Sequence, residues 1–174
     1  MRQIGIDPGL SGAIAWADDG FAPRVRKMPE TERDIWLFVR SLASVGDVSA
    51  TIEKVHNMAP PRTQADESGK LVKTQGRGST ANWELSGNYH AVRMALVAAG
   101  IGFEAVSPQK WQKEFGLVFR GAKRLDYWEK KRRHKAKAEQ LWPGVNVTHA
   151  TADALLLLEY ARRRLALFSA EPEF

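Results

Sequence analysis

The sequence predicts a single α/β domain, and three observations carry that expectation. Residues 2 to 28 hold three short apolar runs separated by turn residues, which read as successive antiparallel strands. An apolar stripe at helical spacing then leads into a β-branched run, so a helix lies between two strands and implies a parallel crossover. The remainder alternates helix, strand and helices, within 174 residues. That length builds one proper core and falls short of two full domains around a cleft.

In order, RQIGID (2 to 7) places Ile4 and Ile6 on one side and ends at Asp7, where Pro8 and Gly9 stop any regular element. Gly12 to Trp16 and Pro23 to Met28 supply the next two strands, and Pro29 ends the third. From Thr31 onward, Ile35, Trp36, Phe38, Val39 and Leu42 recur as on an amphipathic helix of about four turns, with Thr31 and Asp34 resembling an N-terminal cap. VSATIEKV, about 48 to 55, is the fourth strand, with Glu53 near its end. Residues 57 to 82 contain Pro60, Pro61, Gly69, Gly76 and Gly78 among polar groups and predict a mobile loop, which is long for so small a domain. Trp83 to Ala99 is the second helix, with Leu85, Tyr89, Val92, Leu96 and Val97 on one face and Gly100 as its stop. IGFEAV (101 to 106) is the fifth strand. A short helix from SPQKWQKEFGL, a basic helix over 124 to 142 and a last helix within THATADALLLLEYARRRLAL complete the chain.

Composition narrows the chemistry. A hydrophobic fraction of 44% and a charged fraction of 26% suit a folded globular domain. No segment reaches the roughly 20 apolar residues of a membrane span, and the N-terminus reads as strand rather than signal peptide, so an intracellular protein is expected. With no cysteine, disulfides and thiolate chemistry are excluded, and any metal must be held by oxygen or imidazole. The net charge of +6 favours an anionic partner. Lys123, Arg124, Lys130, Lys131, Arg132, Arg133, Lys135 and Lys137 concentrate it in one segment, which reads either as a local positive field or as a solvated helix face.

Three carboxylates stand at ends of elements. Asp7 ends the first strand and Glu53 the fourth, so parallel neighbours would bring both to one sheet edge; Asp153 lies in the opening turn of the apolar last helix. Each has a plain alternative: Asp7 starting a turn, Glu53 facing solvent on an edge strand, Asp153 opposing a helix dipole. Together they are the hard oxygen ligands that a pair of Mg²⁺ ions takes, and a metal pair of that kind hydrolyses phosphodiesters.

IGIDPGLSGAIA, the strand ending IEKV, AAGIGFEAVSPQKWQKEFGL, HKAKAEQLWPG and HATADALLLL occur in the order seen in RuvC-like Holliday junction resolvases, and the chain most resembles their phage-type branch. The resemblance implies a ribonuclease H-like fold, a five-stranded mixed sheet of order 3-2-1-4-5 flanked by helices. It implies a metal-dependent endonuclease of four-way junctions and other branched DNA, with two Mg²⁺ ions per site and Mn²⁺ able to substitute, acting as a homodimer in the cytoplasm of a bacterial cell or phage-infected host. Asp7, Glu53 and Asp153 match the family's acids. Bacterial members carry an acid or histidine three residues before the last Asp, where this chain has Ala150. His149 stands four before it, on Asp153's side of a continuous helix, and reads as a fourth ligand or as a histidine near a helix start capped by Thr148 or Thr151. Lys135 and Lys137 resemble the basic residues closest to the scissile phosphate, and Lys135 is assigned a catalytic role on that basis. Arg77, Ser79 and Trp83 fall where the family inserts into the junction; Trp83 could stack on an unpaired base or pack the first turn of its helix. Trp16, Trp36, Trp111, Trp128 and Trp142 read as core or half-buried residues. Tyr89, Val92 and Leu96 read as dimer contact or as core.

A sugar-kinase or actin-like ATPase also opens on a strand, an Asp and a glycine turn, but needs a second such domain for which this chain lacks the residues. A catalytically inactive or differently targeted ribonuclease H-like nucleic-acid-binding protein would explain the charge and architecture without requiring all three acids, and a nuclease of RNA or single strands would share the fold.

Overall fold

A computed structural model describes residues 1–44, 46–55, 63–65, 71–73, 79–118 and 126–169, with side chains over 1–44, 46–55, 83–118 and 126–166. Strands β1 (Arg2–Asp7), β2 (Ala13–Asp18) and β3 (Arg24–Lys27) form the expected antiparallel run. Helix α1 (Glu32–Ala43) follows, its N-terminus capped by Thr31, whose hydroxyl accepts the Asp34 N–H at 3.1 Å. The chain returns as β4 (Val48–Glu53), parallel to β1 with Ile6 beside Ile52.

Two short strands come next, β5 (Thr63–Ala65) and β6 (Leu71–Lys73), paired antiparallel in a sheet of their own. The stretch expected to be a mobile loop thus contains a hairpin-like pair and, from Ser79, the start of a helix; residues 57–62, 66–70 and 74–78, Arg77 among them, lie outside the described residues. Helix α2 (Ser79–Ala98) starts four residues earlier than the apolar stripe predicts. Strand β7 (Gly102–Val106) pairs parallel with β4, and α3 (Pro108–Glu114), α4 (Tyr127–Leu141) and α5 (Ala152–Ser169) finish the chain. The main sheet therefore runs β3-β2-β1-β4-β7, which is the order 3-2-1-4-5 once the separate β5–β6 pair is set aside.

The two sheet faces carry different side chains, and this decides what covers them. Ile4, Ile6, Ile14 and Ile52 point to one side and pack with Ile35, Val39 and Leu42 of α1 and Tyr89, Val92 and Leu96 of α2. The opposite face is nearly flat, with Ala13, Ala15 and Ala17, so the fully buried Leu155 to Leu158 of α5 settle directly on it. A Cβ at Gly5 would stand 2.3 Å from the Leu158 backbone nitrogen and 2.4 Å from the Ala154 carbonyl, so only glycine lets α5 approach β1 this closely. Because Tyr89, Val92 and Leu96 are spent on the core, they are not a surface for a partner. No described helix is long and apolar enough to cross a membrane.

Candidate nuclease site

The end of β1 is shaped around Asp7. Its carboxylate accepts the Gly9 N–H at 3.0 Å, closing the turn made by Pro8 and Gly9. The chain then doubles back so tightly that a Cβ on Gly12 would lie 2.2 Å from the Asp7 carbonyl oxygen and 2.9 Å from its carboxyl carbon. Asn88 of α2 donates to the Pro8 carbonyl at 2.7 Å and ties that turn to the helix.

Glu53 ends β4, a strand flanked by β1 and β7, which removes the edge-strand reading. Trp111 of α3 donates its indole N–H to Glu53 Oε1 at 3.1 Å. Burial pushes the Glu53 carboxyl up to about 8, and the neighbouring charges of Asp7 and Asp153 push the same way. Asp153, the second residue of α5, is 7% exposed. Its Oδ1 meets His134 Nδ1 and its Oδ2 meets Lys131 Nζ, both at 2.7 Å and both from α4. Burial opposes its ionisation, but the His134 hydrogen bond and the Lys131 charge outweigh it and hold this carboxyl below its usual range. An ionised carboxylate only accepts, so His134 Nδ1 carries the proton. Burial would lower the Lys131 ammonium, yet the charge and hydrogen bond of Asp153, with the charge of Asp7, raise it above its usual range.

Asp7, Glu53 and Asp153 line one cleft of about 410 Å³ together with Lys54, Tyr127 and Lys131. Its donor chemistry suits a hard divalent ion. Three carboxylates face limited positive charge, and a Glu raised to about 8 marks negative charge that a cation would relieve. Among the described residues, however, no three carboxylate or imidazole groups stand close enough together to hold one ion. The acids share a cleft without yet converging on a point.

The other expected residues fall differently. His149 does not share a helix face with Asp153, because α5 begins only at Ala152. The chain before it is a turn in which Thr148 and Thr151 exchange hydrogen bonds, Thr148 N–H to Thr151 Oγ1 at 2.9 Å and Thr151 N–H to Thr148 Oγ1 at 3.3 Å. His149 is exposed and tilts against Trp128, ring centres 6.3 Å apart, so the imidazole that meets Asp153 is that of His134. Lys135 pairs with Glu139 at 3.3 Å, and the ammonium at the acids belongs to Lys131, one turn earlier. Lys137 donates to Gln140 at 3.0 Å. Arg132 and Arg133 both pair with Glu129, so part of the basic run is neutralised along its own helix, while Lys130 is half-buried on α4. Lys123 and Arg124 lie outside the described residues, as does the side chain of Ser79. Trp83 is 79% exposed and packs no core. Trp128 is exposed as well, against expectation, and stacks edge-on with exposed Tyr127, ring centres 5.2 Å apart. Trp111 is fully buried as expected, although its bond to Glu53 makes it more than filling. Trp16, Trp36 and Trp142 are half-buried.

Sheet order, crossover and helical layers are those of the ribonuclease H-like fold. Among solved structures, the chain is similar to RuvC of Thermus thermophilus. One such structure, described as RuvC in complex with a Holliday junction substrate, is 15% identical with a TM-score of 0.57 and 99% of each chain covered. Another, of Thermus thermophilus RuvC, is 16% identical with a TM-score of 0.56, covering 99% of this chain and 100% of that one. No protein-family model and no curated protein sequence matches.

Proposed function

We propose that this protein is a metal-dependent endonuclease of branched DNA, a Holliday junction resolvase of RuvC type whose sequence segments most resemble the phage-type branch, working in the cytoplasm of a bacterial or phage-infected cell. The observation that carries this reading is the arrival of Asp7, Glu53 and Asp153, from three separate elements, at one cleft beside a basic helix. The solved RuvC complex with a Holliday junction, which shares this fold, supports the choice of substrate.

Asp7, Glu53 and Asp153 are the residues that would hold two Mg²⁺ or Mn²⁺ ions, with exposed His149 as a further ligand only if its turn rearranges. Bound there, the ions supply an activated water and neutralise the leaving oxygen of the phosphodiester. Lys131, whose ammonium lies on Asp153, is the cation placed to meet the extra phosphate charge of the transition state. Lys135, Lys137, Lys130, Arg132, Arg133, Lys123, Arg124 and Arg77 supply salt-sensitive affinity for the junction arms. Trp83, Tyr127 and Trp128 offer exposed rings on which unpaired bases of an opened junction stack. A homodimer pairs two such sites for symmetric cuts.

The spread of the acids and the Lys131 ion pair favour a second reading, a nucleic-acid-binding protein of this fold without catalysis. One experiment separates the two. Purified protein is incubated with a labelled four-way junction, a Y-fork, duplex and single strands, with Mg²⁺ or chelator, beside Asp7→Asn. Mg²⁺-dependent nicking of the junction is expected. Asp7→Asn should reduce it by more than the roughly 10- to 100-fold typical of groups one step removed from a metal. Binding without nicking in every metal condition would establish the second reading.

A further inference from the structure

Two hydrogen bonds reach the acids from behind, given by side chains that the cutting reaction does not itself use. Trp111, fully buried on α3, donates to Glu53 Oε1 at 3.1 Å; His134, 6% exposed on α4, donates to Asp153 Oδ1 at 2.7 Å. The two rings meet edge to face, centres 5.4 Å apart and planes at 72°. A continuous path Glu53–Trp111–His134–Asp153 therefore joins the acid of β4 to the acid of α5 through two helices outside the sheet.

We propose that Trp111 and His134 are positioning residues that hold Glu53 and Asp153 as one unit, each fixing one carboxylate oxygen so that the other faces the cleft. Neither carboxylate is otherwise oriented by its own backbone, since Glu has several rotatable bonds and Asp153 sits in a first helical turn. Outer partners of this kind set ligand direction and basicity in metal sites. On Asp153 the remaining oxygen, Oδ2, is the one that Lys131 meets. Oδ2 is therefore the oxygen through which Asp153 would hold an ion, while His134 keeps its bond to Oδ1. The buried indole N–H also gains the partner it requires, so packing alone would explain its burial but not its direction toward Glu53.

This inference rests on the nuclease reading, and its test separates the two. Mg²⁺ is titrated calorimetrically into full-length wild type, Trp111→Phe, His134→Leu and His134→Asn, with thermal unfolding of each followed in chelator. Trp111→Phe and His134→Leu should bind Mg²⁺ about 10- to 100-fold more weakly. His134→Asn, whose amide donates from near the Nδ1 position, should recover most of that affinity even where its Tm falls as far as that of His134→Leu. At limiting Mg²⁺ the loss should appear in kcat with KM for the junction unchanged. Should a variant fail to fold, the indole N–H resonance of Trp111 decides in the others: it should move in Glu53→Ala and in wild type on adding Mg²⁺, and a fixed resonance overturns the proposal. Wild type that binds Mg²⁺ and cuts, beside folded variants of equal affinity, overturns this inference alone. Wild type that does neither overturns the nuclease reading and this with it.

Discussion

Glu53 carries the strain of three acids in one cleft, and in metal-free protein that strain has a pH signature. Its carboxyl rises from an ordinary 4.5 to about 8, by burial first and by Asp7 and Asp153 next. The folded state thus holds this proton more tightly than the unfolded chain does. Its contribution to stability is fully present below about 4.5 and is lost as pH rises through about 8. Asp153 acts in the opposite sense, its lowered carboxyl contributing above the unfolded value near 3.8 and losing that contribution only in stronger acid. In chelator, then, the Tm of wild type should fall between pH 5 and 8, and Glu53→Gln should flatten that fall. A slope unchanged by Glu53→Gln would place the titration elsewhere. The three acids were legible in the sequence because each ends or begins an element where a site can form. His134 was not, since it stands in a run of lysines and arginines whose plain reading is a charged surface, and only the packing of α4 on α5 turns it inward. Lys131 shares that origin: sequence spacing says that a helix is basic, not which lysine its rotation delivers to a carboxylate.

Among elements, the closeness of α5 to β1 decides whether Asp153 can reach the cleft at all. Gly5 permits it, since a Cβ there would strike the backbone of Leu158 and Ala154. Gly5→Ala must push the helix off the strand, because the obstructing atoms are main chain and cannot rotate away. The expected destabilisation is about 3 kcal/mol or more, at the upper end for overpacking, measurable by urea unfolding. Nicking of the junction should fall further than the folded fraction explains, since α5 carries Asp153 away from Asp7. Loss of activity only in step with stability would show that this spacing does not limit the site. The strands, the crossover and the Thr31 cap were readable because each follows from a local rule of periodicity or turn chemistry. The turn before α5 was not: Thr148 and Thr151 hydrogen-bond each other there, so the helix waits until Ala152 and His149 stays outside it. The β5–β6 pair was hidden for a similar reason, its strands being three residues each and too short to show a period.

At the scale of the molecule, the question is which surface would meet a second copy. Tyr89, Val92 and Leu96 of α2 close the core against α1, so the dimer proposed above needs another face. The same helix supplies one. Gly87, His90, Met94 and Val97 follow at spacings of three and four residues, the interval of a helix–helix seam, and Met94 and Val97 are 63 and 60% exposed. Beside them, Trp36 and Glu32 of α1 line a groove of about 460 Å³ with Ala91, Met94 and Ala98. Two copies related by a two-fold axis could lay this seam on itself, each burying the other's Met94. Met94→Glu places a charge in the middle of that contact and touches neither the core nor the acids. Sedimentation equilibrium should show wild type as a dimer and Met94→Glu as a monomer with unchanged circular dichroism. On a four-way junction the variant should leave single nicks where wild type makes paired cuts, because one bound protomer reaches one strand. A dimer that survives Met94→Glu would move the interface away from α2 and leave its exposed seam to DNA.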